Sequence, residues 1–315
     1  RRRSIMSSIT RAGQDPAAEP LPADPPASMP AALYVVATPI GNLEDLGRRA
    51  ARVLRSVTLI AAEDTRTSRP LLQHVGAGAR CIALHAHNEA AASQDILERI
   101  AQGESVALIT DAGTPGISDP GARLVASAHR AGAKVVPVPG PSALTALVSA
   151  AGLAEGRFHF EGFLPSRPSA RRQRLAELAA LPAAFVVFEA PHRIVESAAD
   201  LVATLAETRE VLVGRELTKQ FEQLARMPLA DLPGWLAADP NHRRGEFALL
   251  VFPSPREASA DGDAVPPLSE VGRRAIAVLS EALPPRQAAR LAAKISGDSA
   301  DELYRRAVTD RKGGS

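Results

Sequence analysis

The feature that most constrains the fold is an alternation of short apolar runs with helical patterns, which begins at Leu33 and persists to about residue 252. "LYVVATP", "TLIAA", "CIALHA", "SVALITD" and "KVVPVP" are short, rich in β-branched residues and bounded by turn formers. Between them, "EDLGRRAARVLRSV", "EAAASQDILERIAQG" and "GARLVASAHRAG" carry apolar residues at helical spacing. Repeats of this kind build a mainly parallel sheet covered by helices on both faces. A second series, "FHFEGFL", "AFVVFEA", "EVLVGRE" and "EFALLVF", follows "PSALTALVSAAG". The fold class is therefore α/β, with consecutive α/β/α domains expected at residues 33–145 and 146–253.

The flanks differ. Residues 1–32 are rich in Ala and Pro and lack periodicity, so a disordered leader is expected. Residues 254–267 read as a polar linker. Beyond them, 268–312 hold three short helical patterns, consistent with a helix-turn-helix module or with a helical tail that packs on a neighbour. A length of 315 residues suits two compact units with appendages. Cys81 is the sole cysteine, which excludes a disulfide framework and a thiolate metal cluster and fits a reducing cytoplasm. No apolar run approaches the roughly 20 residues needed to cross a bilayer. No apolar segment follows Arg1 to Arg3, so no signal peptide is expected. The net charge is only +2, and Lys134, Lys219, Lys294 and Lys312 are the only lysines. Arginine suits bidentate contact with phosphate, which leaves nucleic acid open as a partner without requiring it.

Ligands of open parallel sheets bind beyond the carboxyl ends of the strands. The loops there are "TPIGNLED", "AEDTRTSR", "HAHNE" and "TDAGTPGISDPG", with "PVPGPSAL" after the fifth strand. None carries the glycine spacing of a dinucleotide or triphosphate loop. In the fourth, Gly113 permits close backbone approach, and Asp111 and Asp119 accept hydrogen bonds. Such a loop suits a ligand with hydroxyls and a positive centre better than one made of phosphates. Asp119, in "DPG", is also placed to cap the following helix. His85 and His87 alternate along an expected strand and so face one side, but no ligand set for a metal accompanies them. Asn88 either faces a substrate or caps the helix after it.

"VATPIGNLEDL", "AAEDTR", "ALHAHNE", "LITDAGTPGISDPG", "VVPVPGPSAL", "FEGFLP" and "RELTK" occur in this order, and together they resemble the ribosomal RNA small subunit methyltransferase I family. That family sits among the tetrapyrrole methylase-like, class III S-adenosylmethionine-dependent methyltransferases. The resemblance covers about residues 33 to 310. It implies a pair of α/β domains of the tetrapyrrole methylase type, a small C-terminal helical domain and a homodimer in the cytoplasm, with no membrane. It also implies methyl transfer from S-adenosylmethionine to the ribose 2′-hydroxyl of a cytidine in 16S ribosomal RNA of the small subunit, near the decoding site.

Carried over by motif, the donor site falls on Pro39, Gly41, Asp111, Gly113, Thr114, Ile117, Ser142 and Ala143, with Leu164 and Ala190 from the second domain. Thr114 stands where tetrapyrrole-specific members have aspartate, which argues against a porphyrin substrate. The alternatives are a methylase of a tetrapyrrole or another small molecule, and a protein that binds the donor or RNA without catalysis. For catalysis, a carboxylate of Glu63 or Asp64 would orient or deprotonate the ribose, with Arg66 on a phosphate and His87 and Asn88 near the substrate. A structural ion pair or helix cap is the other reading of Glu63, Asp64 and Arg66. Arg167, Arg171, Arg172, Arg174, Arg215 and Lys219 are the expected RNA contacts.

Overall fold

In the computed structural model, residues 29–85, 88–153, 156–205, 208–254 and 268–312 are described. The expected leader up to residue 28, the linker from residue 255 to 267, and His87 lie outside them. The first sheet is built from β1 (Ala32–Val36), β2 (Leu59–Ala62), β3 (Arg80–Ala83), β4 (Ser105–Ile109) and β5 (Val135–Val138), all parallel, in the order β3-β2-β4-β1-β5. Its first strand is joined by residues ahead of Leu33: Met29 packs on the core and the Tyr34 hydroxyl donates to the Pro30 carbonyl.

Period-two alternation divides the strand side chains between two faces. Tyr34, Val36, Ile60, Ala62, Ala107 and Ile109 meet α1 (Arg48–Ser56) and α2 (Thr65–Val75). Leu33, Leu59, Ala61, Val106 and Leu108 meet α3 (Glu89–Ala101) and α4 (Ala122–Arg130). β1 and β4 are hydrogen-bonded neighbours, yet the helices that follow them, α1 and α4, lie on opposite faces. Their connections therefore part at the carboxyl ends of these two strands and leave a crevice there.

After α5 (Ala143–Ala151) come β6 (Phe158–Phe163), α6 (Pro168–Ala179), β7 (Ala184–Glu189), α7 (Ile194–Thr204), β8 (Glu210–Arg215), β9 (Gln223–Pro228), α8 (Leu232–Ala238) and β10 (Phe247–Val251). The second sheet runs β6-β7-β10-β8-β9 and is mixed: only β6 and β7 are parallel. β9 is absent from the sequence expectation because it is an edge strand whose residues alternate between half-buried and exposed, so no apolar run marks it. α6, α7 and α8 cover one face, where Leu175, Leu178, Ile194, Leu201 and Leu232 are buried. α5 covers the other through Leu144 and Leu147, and Ile40 and Ile117 from the first half pack into the same layer. The two halves form one compact unit ending at Ser254.

The second unit consists of α9 (Glu270–Ala282), α10 (Pro285–Ser296) and α11 (Ala300–Lys312), closed over Ile276, Ala288, Ala289, Ala292, Leu303 and Ala307. Asp298 accepts from the backbone N–H and hydroxyl of Ser269, the residue that caps α9. Gly272 is required there, since a β-carbon at that position would overlap the Asp298 carboxylate. Among the described residues no helix is long and apolar enough to cross a membrane.

Candidate active site

Three strand-end loops knit the floor of the crevice. Thr38, just past β1, pairs antiparallel with Gly113 in the loop after β4, and each donates its N–H to the other's carbonyl. Gly113 has φ of 84°, and a β-carbon there would stand 3.3 Å from the Ile40 side chain, so glycine suits both the backbone and the space. The Thr114 hydroxyl donates to the Pro141 carbonyl at 3.0 Å, which ties this loop to the one after β5. Pro39 is buried behind the pairing. Ser142 and Ala143 open α5, and the Ser142 side chain makes no capping bond to that helix.

Carboxylates gather beside these loops. Asp111 accepts the Asp64 N–H at 3.1 Å. Burial pushes Asp111 up to about 6, and the negative charge of Glu63 adds to the shift. Asp119 is pushed up to about 7 by burial, and then by the charges of Glu63 and Asp111. Asp64 is different. Its carboxylate accepts from the side chain and the backbone N–H of Arg66, and these bonds hold it down to about 2. It is the N-cap of α2, and Arg66 reaches back to it from an exposed position. The ion-pair and cap reading thus describes Asp64 and Arg66, whereas Glu63 has no hydrogen-bonding or ion-pairing partner among the described residues.

Several expectations are corrected. Asp119 does not cap α4, because Gly121 occupies that position with φ of 113°. The buried carboxylate of Glu89, the first residue of α3 on the same face of the sheet, caps the helix instead, and Asp119 is left beside the crevice. β3 stops at Ala83, so His85 lies beyond the strand. Asn88 makes no side-chain capping bond to α3. Its amide instead accepts from the His85 N–H and donates to the Ala83 carbonyl, which closes the turn after β3.

The second half supplies a wall. Ser118, in left-handed backbone at φ of 64°, sets its hydroxyl 2.9 Å from where a β-carbon on Gly162 would lie. Leu164 is buried in the core under α6 and α7. Arg193 donates to the carbonyls of Leu164 and Pro165 and pairs with the fully buried Glu189, whose other oxygen accepts from Ser197. Glu189 also accepts the Ala190 N–H, so one network holds both the 164–165 and 190 turns. No signal in the sequence marked it. Phe163 is 53% exposed and packs edge-on against Phe188, whose ring lies in the same layer as Ile40 and Ile117.

The basic residues separate by environment. Arg171 is buried and donates to Asp200 at 2.6 Å. Arg172 shares that carboxylate, and Arg174 is held by Glu161 and Glu177. Arg215 is buried on the carbonyls of Arg244 and Phe221. Arg171 and Arg215 are therefore structural, contrary to the expectation of RNA contact, because a buried guanidinium already committed to partners cannot reach a phosphate. Arg167 is exposed at the start of α6. Lys219 is paired with Glu216 and Glu246.

The chain matches the tetrapyrrole (corrin/porphyrin) methylases over residues 32–233 and the RsmI C-terminal HTH domain over residues 266–311. It is 50% identical to the ribosomal RNA small subunit methyltransferase I of Xylella fastidiosa (strain Temecula1) over 277 residues, 88% of this chain and 99% of the relative. To the protein of the same name from Pseudomonas aeruginosa it is 47% identical over 279 residues, 88% of this chain and 96% of the relative. The solved structure of a cobalt precorrin-4 methyltransferase aligns with a TM-score of 0.53 at 16% identity, covering 71% of this chain and 95% of that one. This last likeness bears on fold alone.

Proposed function

Because the chain belongs to the ribosomal RNA small subunit methyltransferase I family, on the tetrapyrrole methylase fold, we propose that it methylates the ribose 2′-hydroxyl of a cytidine in 16S ribosomal RNA, near the decoding site. The methyl donor is S-adenosylmethionine. The observation that carries the reading is the meeting of Glu63, Asp111 and Asp119 beside the Thr38–Gly113 pairing.

These residues fit the donor. Bound there, S-adenosylmethionine supplies a methyl group on a positively charged sulfur. A crevice whose titratable groups are carboxylates, and whose glycine lets the backbone approach closely, complements such a cation with hydroxyls nearby. The donor site we propose comprises Pro39, Gly41, Asp111, Gly113, Thr114, Ile117, Ser142 and Ala143, with the turns at Leu164 and Ala190.

For the nucleophile, the Glu63 carboxylate is not held by a donor as those of Asp64 and Asp111 are, and we assign it the proton of the ribose hydroxyl. Asp64 and Arg66 brace that loop. The protein otherwise aligns the two reactants and keeps water out of the crevice, which is the main demand of an in-line displacement on an activated carbon. Phe163 offers a face on which the unstacked nucleobase rests. Arg167 and the exposed part of Arg172 contact backbone phosphate. The small ribosomal subunit is the partner, the enzyme is a homodimer, and the compartment is the cytoplasm.

The test is incubation of the purified protein with methyl-labelled donor and unmethylated small subunits, followed by mapping of the label. Label at a cytidine 2′-oxygen supports the reading, and absence of label from RNA refutes it. Glu63→Gln is expected to lower turnover by roughly 10²-fold or more while donor binding survives.

A further inference from the structure

The loop after β8 is held in an unusual conformation. Glu216 (φ 52°) and Thr218 (φ 67°) both adopt left-handed backbone although neither is glycine. Such residues persist only where their surroundings impose the conformation, and they concentrate at functional sites. Here the surroundings are specific. The Glu216 carboxylate accepts the Glu246 N–H at 2.8 Å and the Lys219 ammonium at 2.9 Å, and the Glu216 N–H donates to the Glu246 carbonyl. A β-carbon on Gly245, itself at φ of 87°, would come within 2.4 Å of the Glu216 side chain, so only glycine leaves room for this arrangement. The Thr218 N–H is taken by Glu222 at 2.8 Å.

The result is a fixed path for one side chain. The Lys219 ammonium is anchored between Glu216 and Glu246, each at 2.9 Å, and its stem runs across Gly41. A β-carbon on Gly41 would stand 2.3 Å from Lys219 Cγ and 2.9 Å from Cε. Burial works against the charge of Lys219, but Glu246 and Glu216 outweigh it and hold the ammonium above the usual lysine range. Gly41 belongs to the first loop of the crevice, in the other half of the fold from β8. A phosphate seeking Lys219 would have to displace two carboxylates, which opposes the expectation that this lysine contacts RNA.

We propose that Lys219 is a positioning residue for the methyl donor, clamping the 39–42 loop to the loop after β8 and thereby fixing one edge of the donor crevice. The inference rests on the reading that the 39–42 loop binds the donor. The clamp explains why glycine stands at both 41 and 245 and why Glu216 takes a conformation that glycine would adopt more readily.

The test compares the wild-type protein with Lys219→Ala, which loses stem and charge, and Lys219→Met, which keeps most of the stem. Glu246→Gln, on a half-exposed anchor, weakens the hold without entering the crevice and guards against misfolding of the lysine variants. Hydrogen exchange without donor is expected to quicken across residues 37–47 in Lys219→Ala, with β4 unchanged and smaller effects in the other two variants. S-adenosylmethionine affinity, by calorimetry, is expected to fall about tenfold or more, with affinity for small subunits and its salt dependence unaltered.

Unchanged exchange at 37–47, or unchanged donor affinity, overturns the proposal. So does a weaker RNA affinity whose salt slope drops by about one, the signature of a lost phosphate contact. Failure of the wild-type protein to bind donor would overturn the reading of the crevice itself, while the exchange data still decide whether the clamp exists.

Discussion

Glu89 Oε1 accepts the backbone N–H of Gly121 at 3.0 Å and that of Arg123 at 3.1 Å, so the first residue of α3 caps the start of α4. The cap lets the glycine- and proline-rich loop after β4 end without spending Asp119 on its own helix. Glu89→Ala would leave the buried Gly121 N–H and the half-buried Arg123 N–H without that acceptor, an expected loss of about 1–3 kcal/mol. Glu89→Gln keeps a carbonyl oxygen in place and should lose less. Denaturant unfolding of the three proteins checks the order; equal stability of wild type and alanine variant would remove the cap from the account.

Acidity of the crevice gives a second expectation. Asp111 and Asp119 sit at about 6 and about 7, above the ordinary 3.8, because burial and the charge of Glu63 disfavour their ionised forms. Between about pH 4 and 7 the folded protein thus binds more protons at these positions than the unfolded chain does. Their contribution to stability is present below that window and is lost as pH rises through it. Asp119→Asn removes one of the titrations, so it should raise the melting temperature relative to wild type more at pH 8 than at pH 5. A difference that is the same at both values would contradict the assignment.

Donor binding should follow the same groups in the opposite sense. A sulfonium favours ionised carboxylates, so affinity for S-adenosylmethionine is expected to rise between about pH 5.5 and 7. S-adenosylhomocysteine, whose sulfur is neutral, should show a flatter profile. Parallel profiles for the two ligands would mean that Asp111 and Asp119 do not face the sulfur.

Much of this organisation was legible in the sequence, and the exceptions share a cause. β1, β2 and β4 are buried on both faces and so read as continuous apolar runs, and the loops after them stand out by their Gly, Pro and Asp content. β9 was hidden because an edge strand needs only one apolar face. Local spacing makes Asp119 look like a helix cap, whereas the true acceptor, Glu89, is distant in the chain. The "RR" of α6 looked like an exposed basic face, but Arg171 is turned inward onto Asp200, a partner that only the packing of α6 on α7 supplies. Short-range pattern is visible in a sequence; a partner brought in by tertiary packing is not.

That inward turn separates two arginines four positions apart. Arg171 is about 2% exposed and paired with Asp200, so Arg171→Ala leaves that carboxylate to Arg172 alone and should cost about 1–3 kcal/mol of stability. Arg167→Ala, at an exposed position, should leave the melting temperature unchanged. It should instead weaken binding to small subunits and lower the salt slope by about one. Filter-binding titrations across a salt series and thermal melts distinguish the two, and a stable Arg171→Ala protein with a reduced slope would reverse the assignment.

Thr114 ties two loops of the crevice together. Its hydroxyl donates to the Pro141 carbonyl at 3.0 Å, joining the loop after β4 to the loop after β5. An ionised aspartate has no proton to give, so Thr114→Asp would set carboxylate oxygen against carbonyl oxygen and push the two loops apart. The expected loss is about 1–3 kcal/mol in donor binding, since both loops belong to the proposed donor site. Thr114→Ser retains the donor and should bind nearly as the wild type does, while Thr114→Val should fall between them. Calorimetric titration of all three with S-adenosylmethionine measures the series; an aspartate variant that binds as well as serine would show that the hydrogen bond does not set the separation of the loops.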